Sequence, residues 1–214
     1  TARIWDAESG APIGNILGTP SDPLFRVSAV ASPNGRRILT AKSDSTLQLW
    51  DEESGAPIGL TIKPFDSTPG SILFASFSSD GRQLLTLTSD KTARLWDADT
   101  GLPFGSPMQH DKVATHAVFT PDGTKIVTES DGTFHYWDAK SGAPLALLTL
   151  NSGGASTLLL SGNGKFLATT HSDNVVRLWQ ASSDSPLDAQ LQSGGPVSSA
   201  AFSPDGRRVI TTGD

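Results

Sequence analysis

At 214 residues, with 36% hydrophobic content and 35 Gly and Pro residues together, the chain has room for one large all-β domain but is lean for a globular core. A formal charge of −6, with Lys and Arg scattered singly or in pairs such as Arg36-Arg37 and Arg207-Arg208, excludes the clustered cations of a nucleic-acid surface. Without cysteine there is no disulfide frame or thiolate metal site, and no apolar run approaches the roughly 20 residues that cross a bilayer as a helix.

Along the chain, apolar residues fall in short alternating runs and the Gly and Pro residues sit between them, which predicts many short strands joined by tight turns. The first segment, residues 1–20, holds a strand at Thr1–Asp6, a turn at Glu8-Ser9-Gly10 and a second strand through Pro12-Ile13. Four longer segments follow, at about 25–62, 71–108, 113–149 and 155–191, and a last one at 196–214. The last shows the start of the pattern plainly: Val197–Phe202 as strand a, a turn, then Arg208–Thr211 as strand b. Val175–Trp179 is a strand c, and a strand d carries Pro57-Ile58 or Pro103-Phe104 after a turn such as Glu53-Ser54-Gly55.

These segments are one repeat. Trp recurs at Trp5, Trp50, Trp96, Trp137 and Trp179, spaced 45, 46, 41 and 42 residues apart, and Asp follows it in all copies but the last, which has Gln180. Upstream lies a turn ending in Gly: Ser32–Gly35, Ser78–Gly81, Thr120–Gly123, Ser161–Gly164 and Ser203–Gly206. Pro there presets the first turn dihedral, Asn or Asp tolerates unusual backbone angles, and Gly accepts positive φ. Five residues beyond each Gly stands Thr40, Thr86, Thr128, Thr169 or Thr211, and an Asp closes each following turn: Asp44, Asp90, Asp131, Asp173 and Asp214. Four antiparallel strands with a period near 42 residues make one propeller blade, whose faces stay dry only against neighbouring blades.

Over its whole length the sequence resembles the WD-repeat (WD40) family, and Lys91–Asp97 matches it closely. The resemblance implies an all-β β-propeller and, in each blade, a buried relay of Trp indole, strand-b Ser or Thr, loop His and turn Asp. Only His110 stands at the family's His position; Thr68, Asn151 and Ser193 take its place elsewhere, and the unit of Arg26 lacks it. Four complete blades and two half-blades make five blade-equivalents, so a single domain over 1–214 is expected to close as a ring by pairing the N-terminal strands c and d with the C-terminal strands a and b. The rival is an excised length of a longer array, alone or self-associating through its terminal half-blades.

Chemistry is hard to place on this pattern. His110, His116, His135 and His171 show no paired ligand spacing, so neither a metal nor a cofactor is expected. Asp97-Ala98-Asp99-Thr100-Gly101 resembles the start of a calcium loop, but Lys140 in the equivalent stretch marks a turn instead. The acidic residues recur in the repeat register, which marks them as structural. Glu129 breaks that register, standing where other units are read as having Lys42, Thr88, His171 and Thr212, and it is the one candidate for glycosidase-like acid chemistry. The same strand-b ends and nearby loops, with Arg26, Lys42, Lys91, Asp111, Lys112, Glu129 and His171, vary between otherwise similar units and form the expected partner rim. The reading is therefore a non-enzymatic scaffold or sensor for a protein or peptide, cytoplasmic, binding neither nucleic acid nor membrane. The Ser-Gly-Ala-Pro-Ile-Gly runs at 9–14 and 54–59 look like bacterial arrays joined to larger multidomain proteins. A carbohydrate-binding or carbohydrate-acting five-bladed propeller, and an engineered or excised fragment without a function of its own, are the alternatives.

Overall fold

The computed structural model describes residues 2–17, 24–42, 44–64, 70–149, 157–171, 173–181, 186–192 and 194–213. Every regular element among them is a strand. Among the described residues no helix is long and apolar enough to cross a membrane. Four sheets have four antiparallel strands in sequence order, and two have two strands. The N-terminal pair is β1 (Ala2–Trp5) with β2 (Pro12–Leu17). Blade I holds β3 (Leu24–Ala31), β4 (Arg37–Lys42), β5 (Leu47–Asp51) and β6 (Pro57–Ile62). Blade II holds β7 (Ile72–Phe77), β8 (Gln83–Thr88), β9 (Thr92–Asp97) and β10 (Pro103–Gln109). Blade III holds β11 (His116–Phe119), β12 (Lys125–Ser130), β13 (Thr133–Asp138) and β14 (Pro144–Thr149). Blade IV holds β15 (Thr157–Leu160), β16 (Phe166–Thr170), β17 (Val175–Gln180) and β18 (Pro186–Gln192), and the C-terminal pair is β19 (Val197–Phe202) with β20 (Val209–Gly213).

The chain divides into two compact units, 1–109 with 140–142, and 110–139 with 143–214. In the first, Leu39, Leu47 and Leu49 of blade I and Ile72, Phe77, Leu84 and Trp96 of blade II form one buried cluster, while Ile4, Leu17 and Ile38 join the N-terminal pair to blade I. In the second, Val127, Phe134 and Tyr136 of blade III pack on Leu167 and Trp179 of blade IV. Alternation along each strand supplies these contacts, so within each unit the apolar surface runs from one blade to the next.

The repeated turns are built from side chains that replace backbone partners. In blade I the Arg37 N–H donates to the Ser32 hydroxyl at 2.9 Å, which donates to Asn34 Oδ1 at 2.8 Å, and Gly35 takes φ 64°. Ser78, Thr120, Ser161 and Ser203 repeat the hydroxyl's role with Asp80, Asp122, Asn163 and Asp205. Asn adds a staple between sheets of one unit: Asn34 Nδ2 donates to the Asp80 carbonyl at 3.2 Å, and Asn163 Nδ2 to that of Asp205 at 3.0 Å. A second joint lies at strand d, where Gly14, Gly59 and Gly105 take φ of 61°, 62° and 68° and leave no room for a Cβ against Ser54, Thr100 and Ser141. The Pro-Ile-Gly and Pro-Phe-Gly runs are therefore docking points, and the ladder slips register beside each.

The turn carboxylates give an acid response. Hydrogen bonds from the Ser78 hydroxyl hold Asp80, and those from the Thr120 hydroxyl hold Asp122, below the ordinary 3.8. Depressed carboxyl values mean stability that is present above pH 3.8 and lost as pH falls through the lowered values. Thermal midpoints are expected to fall as pH drops below about 4. A midpoint unchanged down to pH 2 contradicts this.

Among the described residues β1–β2 and β19–β20 are two-stranded sheets. Trp5 is 58% exposed with the Arg3 guanidinium 5.2 Å over its ring, and Ile210 is 66% exposed.

Candidate functional site

The indole-to-hydroxyl bond of the expected relay forms in each of the four described blades. The indole N–H of Trp50 donates to Thr40 Oγ1 at 2.8 Å, Trp96 to Thr86 at 3.0 Å, Trp137 to Thr128 at 2.9 Å and Trp179 to Thr169 at 3.0 Å. The geometry follows from register: the Trp-bearing strand lies antiparallel beside strand b, and in each blade the Trp stands two residues beyond the partner of the Thr, which brings indole and hydroxyl together diagonally. A buried indole N–H needs an acceptor, and the Thr hydroxyl supplies one without a charge. Thr211 belongs to β20, and Asp214 lies outside the described residues.

Two histidines join the relay from different places. His110, buried ahead of β11, sets Nε2 2.7 Å from Thr128 Oγ1. In blade IV the same contact, also 2.7 Å, comes from His171 on the far side of Thr169. Residues i and i+2 share a face of a strand, so His171 reaches the hydroxyl of Thr169 directly. This corrects the placement of His171 on a partner rim: it is 5% exposed and points inward. Thr68, Asn151 and Ser193, read as stand-ins for the loop His, lie outside the described residues.

The turn Asp residues have local partners. Asp44 accepts from the Thr46 hydroxyl at 2.6 Å; Asp90 accepts from Thr88 at 2.5 Å, Thr92 at 2.6 Å and Arg94 at 3.1 Å; Asp173 accepts from Arg177 at 2.5 Å. Asp131 takes φ 51° in the same turn of blade III. Burial pushes the Asp90 carboxyl up, but its bonds to Thr88, Thr92 and Arg94 outweigh that and hold it below the ordinary range.

Glu129 needs a second correction. It follows the relay Thr128 directly, whereas Lys42, Thr88 and His171 stand two residues after Thr40, Thr86 and Thr169. A one-residue slip moves a side chain to the opposite face of a sheet. Glu129 therefore registers with Ala41, Leu87 and Thr170, all buried, and is itself 1% exposed. Its carboxylate accepts from the Gly132 N–H at 2.9 Å and from the Thr115 hydroxyl, and lies 3.6 Å from His116 Nδ1 on the neighbouring strand. Burial alone would push this carboxyl up; the bonds from His116, Thr115 and Gly132 more than offset that and hold it low. A general acid needs the opposite displacement.

The remaining rim residues are accessible or partly so. Lys42 is half-buried at the end of β4, Lys91 is exposed at φ 68°, and Asp111 and Lys112 are exposed ahead of β11. The side chain of Arg26 lies outside the described residues. No group of three or more His, Asp or Glu among the described residues is placed to hold a metal ion.

Together, the four-stranded sheets, their Trp–Thr bonds and their shared turns define a propeller-type repeat protein. The family described as WD domain, G-beta repeat matches residues 13–51, 61–97, 104–138, 142–180 and 187–214, and the chain belongs to it. No curated protein matches the sequence. WD repeats generally mediate protein–protein interaction.

Proposed function

We infer that this chain is a non-enzymatic scaffold or sensor module that presents strand-b ends and adjoining loops to a protein or peptide, within a larger cytoplasmic multidomain protein. The observation that carries this reading is a contrast within one repeat. The Trp–Thr frame is the same in four blades, while the exposed loops beside it change chemistry, with Lys91 in the turn after β8 and Asp111 and Lys112 ahead of β11. Variable side chains on an invariant frame suit a surface that encodes specificity, because the frame holds shape while the loops change chemistry. The four bonded indoles are committed to the frame, which weighs against their use as sugar platforms. The ionised, fully bonded Glu129 weighs against acid catalysis there.

With Glu129 and His171 buried, the candidate contacts are Lys42 and Lys91 in the first unit and Asp111 and Lys112 in the second. Charge reversal at Lys42, Lys91 and Lys112 together is expected to weaken binding of a captured partner about tenfold or more, roughly 1.4 kcal/mol, in a calorimetric titration. Unchanged affinity with the fold intact would remove this rim from the proposal.

A further inference from the structure

Blade III contains an imidazole at a place where its neighbours use other groups. Across the ladder from the relay Thr, β5 has Gln48, β9 has Arg94, β13 has His135 and β17 has Arg177. Both arginines reach the turn Asp four residues upstream, Arg94 to Asp90 at 3.1 Å and Arg177 to Asp173 at 2.5 Å. In blade III the corresponding pair is Asp131 and His135, so a permanent cation is replaced by a group that changes charge near neutrality.

That imidazole lies under segment 110–115. Its ring is 4.9 Å from the His110 ring, edge to face, and stacks on Trp137 at 5.8 Å. The segment is held to β12 at several points. His110 Nε2 is 2.7 Å from Thr128 Oγ1, the Ser130 hydroxyl donates to the Lys112 carbonyl at 3.0 Å, and the Thr115 N–H donates to the Glu129 carbonyl at 3.0 Å. The Thr115 hydroxyl also donates to the Glu129 carboxylate.

We propose that His135 is a proton-sensitive latch, whose protonation loosens segment 110–115 from β12 and so alters the display of Asp111 and Lys112. The ring is half-buried beneath the His110 ring, so a charge on it is only partly hydrated, and the least costly relief is for His110 and its segment to move off and let water in. The neighbouring charges do not cancel this. Asp111 on the segment and Glu129 on β12 attract the cation, but Glu129 is already shared with His116 on β11 at 3.6 Å. His110 offers a second imidazole instead of a carboxylate, and Lys112 adds positive charge to the same segment. His116 on β11 faces Glu129 and not the segment, and His110 on the segment is the other imidazole beside His135.

Burial pushes the His135 imidazole below its ordinary 6.5, with Asp111 and Glu129 opposing in part. A depressed value means the closed arrangement is favoured above pH 6.5 and loses that support as pH falls through the lowered value. The response is therefore acid-triggered and local.

Hydrogen exchange read by mass spectrometry tests this without any partner, so it stands or falls separately from the rim proposal. After correction for intrinsic rates, protection over residues 110–116 is expected to fall about tenfold or more between pH 7.5 and pH 5, while β8 stays protected. In His135→Gln, which installs the neutral group blade I carries at Gln48, the fall should vanish. Unchanged protection in the parent chain, or an equal fall in the variant, overturns the latch. Independently of any variant, an NMR titration of the His135 ring with a midpoint at or above 6.5 also overturns it.

Discussion

Thr128→Val is expected to destabilise the chain by about 2–4 kcal/mol, more than the same change at Thr86. Valine keeps the shape of threonine and removes only the hydroxyl. At Thr86 that leaves one buried group, the Trp96 indole N–H, without its acceptor. At Thr128 it strands two, the Trp137 indole and the His110 imidazole. Each unsatisfied buried polar group costs about 1–3 kcal/mol, so Thr86→Val should lose roughly half as much. Urea unfolding followed by tryptophan fluorescence separates the two variants. Equal losses would mean that His110 contributes nothing through the hydroxyl.

Gly105→Ala is the second large effect expected, at about 2–4 kcal/mol. A Cβ at Gly105 would stand 2.6 Å from the Ser141 carbonyl oxygen, against backbone that cannot swing aside. It would also disturb the Ser106 N–H bond to that carbonyl, 2.7 Å long. The positive φ of 68° adds about 1–2 kcal/mol of left-handed strain for any L-residue. Gly123→Ala is the internal control, because Gly123 has φ 66° and nothing within 4 Å of its Cβ position. That variant should show the strain alone. If the two alanines cost the same in urea unfolding, the docking joint at strand d has no energetic weight.

The strands were legible because the repeat is written in side chains that the turns require. Val197–Phe202 is a strand with the same bounds that alternation gives, and counting five residues from the turn Gly finds the hydroxyl that each of four indoles uses. The site was less legible, and the reasons are geometric. His171 carries its own signal, since it shares a strand face with Thr169, but a family pattern that looks for histidine ahead of strand a passes over it. Glu129 stands two residues before its turn Asp, as Lys42, Thr88 and His171 do, but Asp131 follows Thr128 by three residues where Asp44, Asp90 and Asp173 follow their Thr by four, so alignment on the Asp is one residue out of register with the strand. Pairing of His116 with Glu129 across β11 and β12 shows the true position. The joint at Gly14, Gly59 and Gly105 appears in the sequence only as Pro-Ile-Gly or Pro-Phe-Gly, which says that a glycine is needed but not what it approaches.

The claim beneath all of this is that evenly spaced indoles mark equivalent four-stranded units, with Trp5 set apart. Exchange of the five indole protons with solvent, followed by NMR on tryptophan-labelled protein, addresses it directly. Four slow signals, from Trp50, Trp96, Trp137 and Trp179, and one fast signal from Trp5 are the predicted result. Rapid exchange at any of the four, or a Trp5 proton as slow as theirs, would contradict the account.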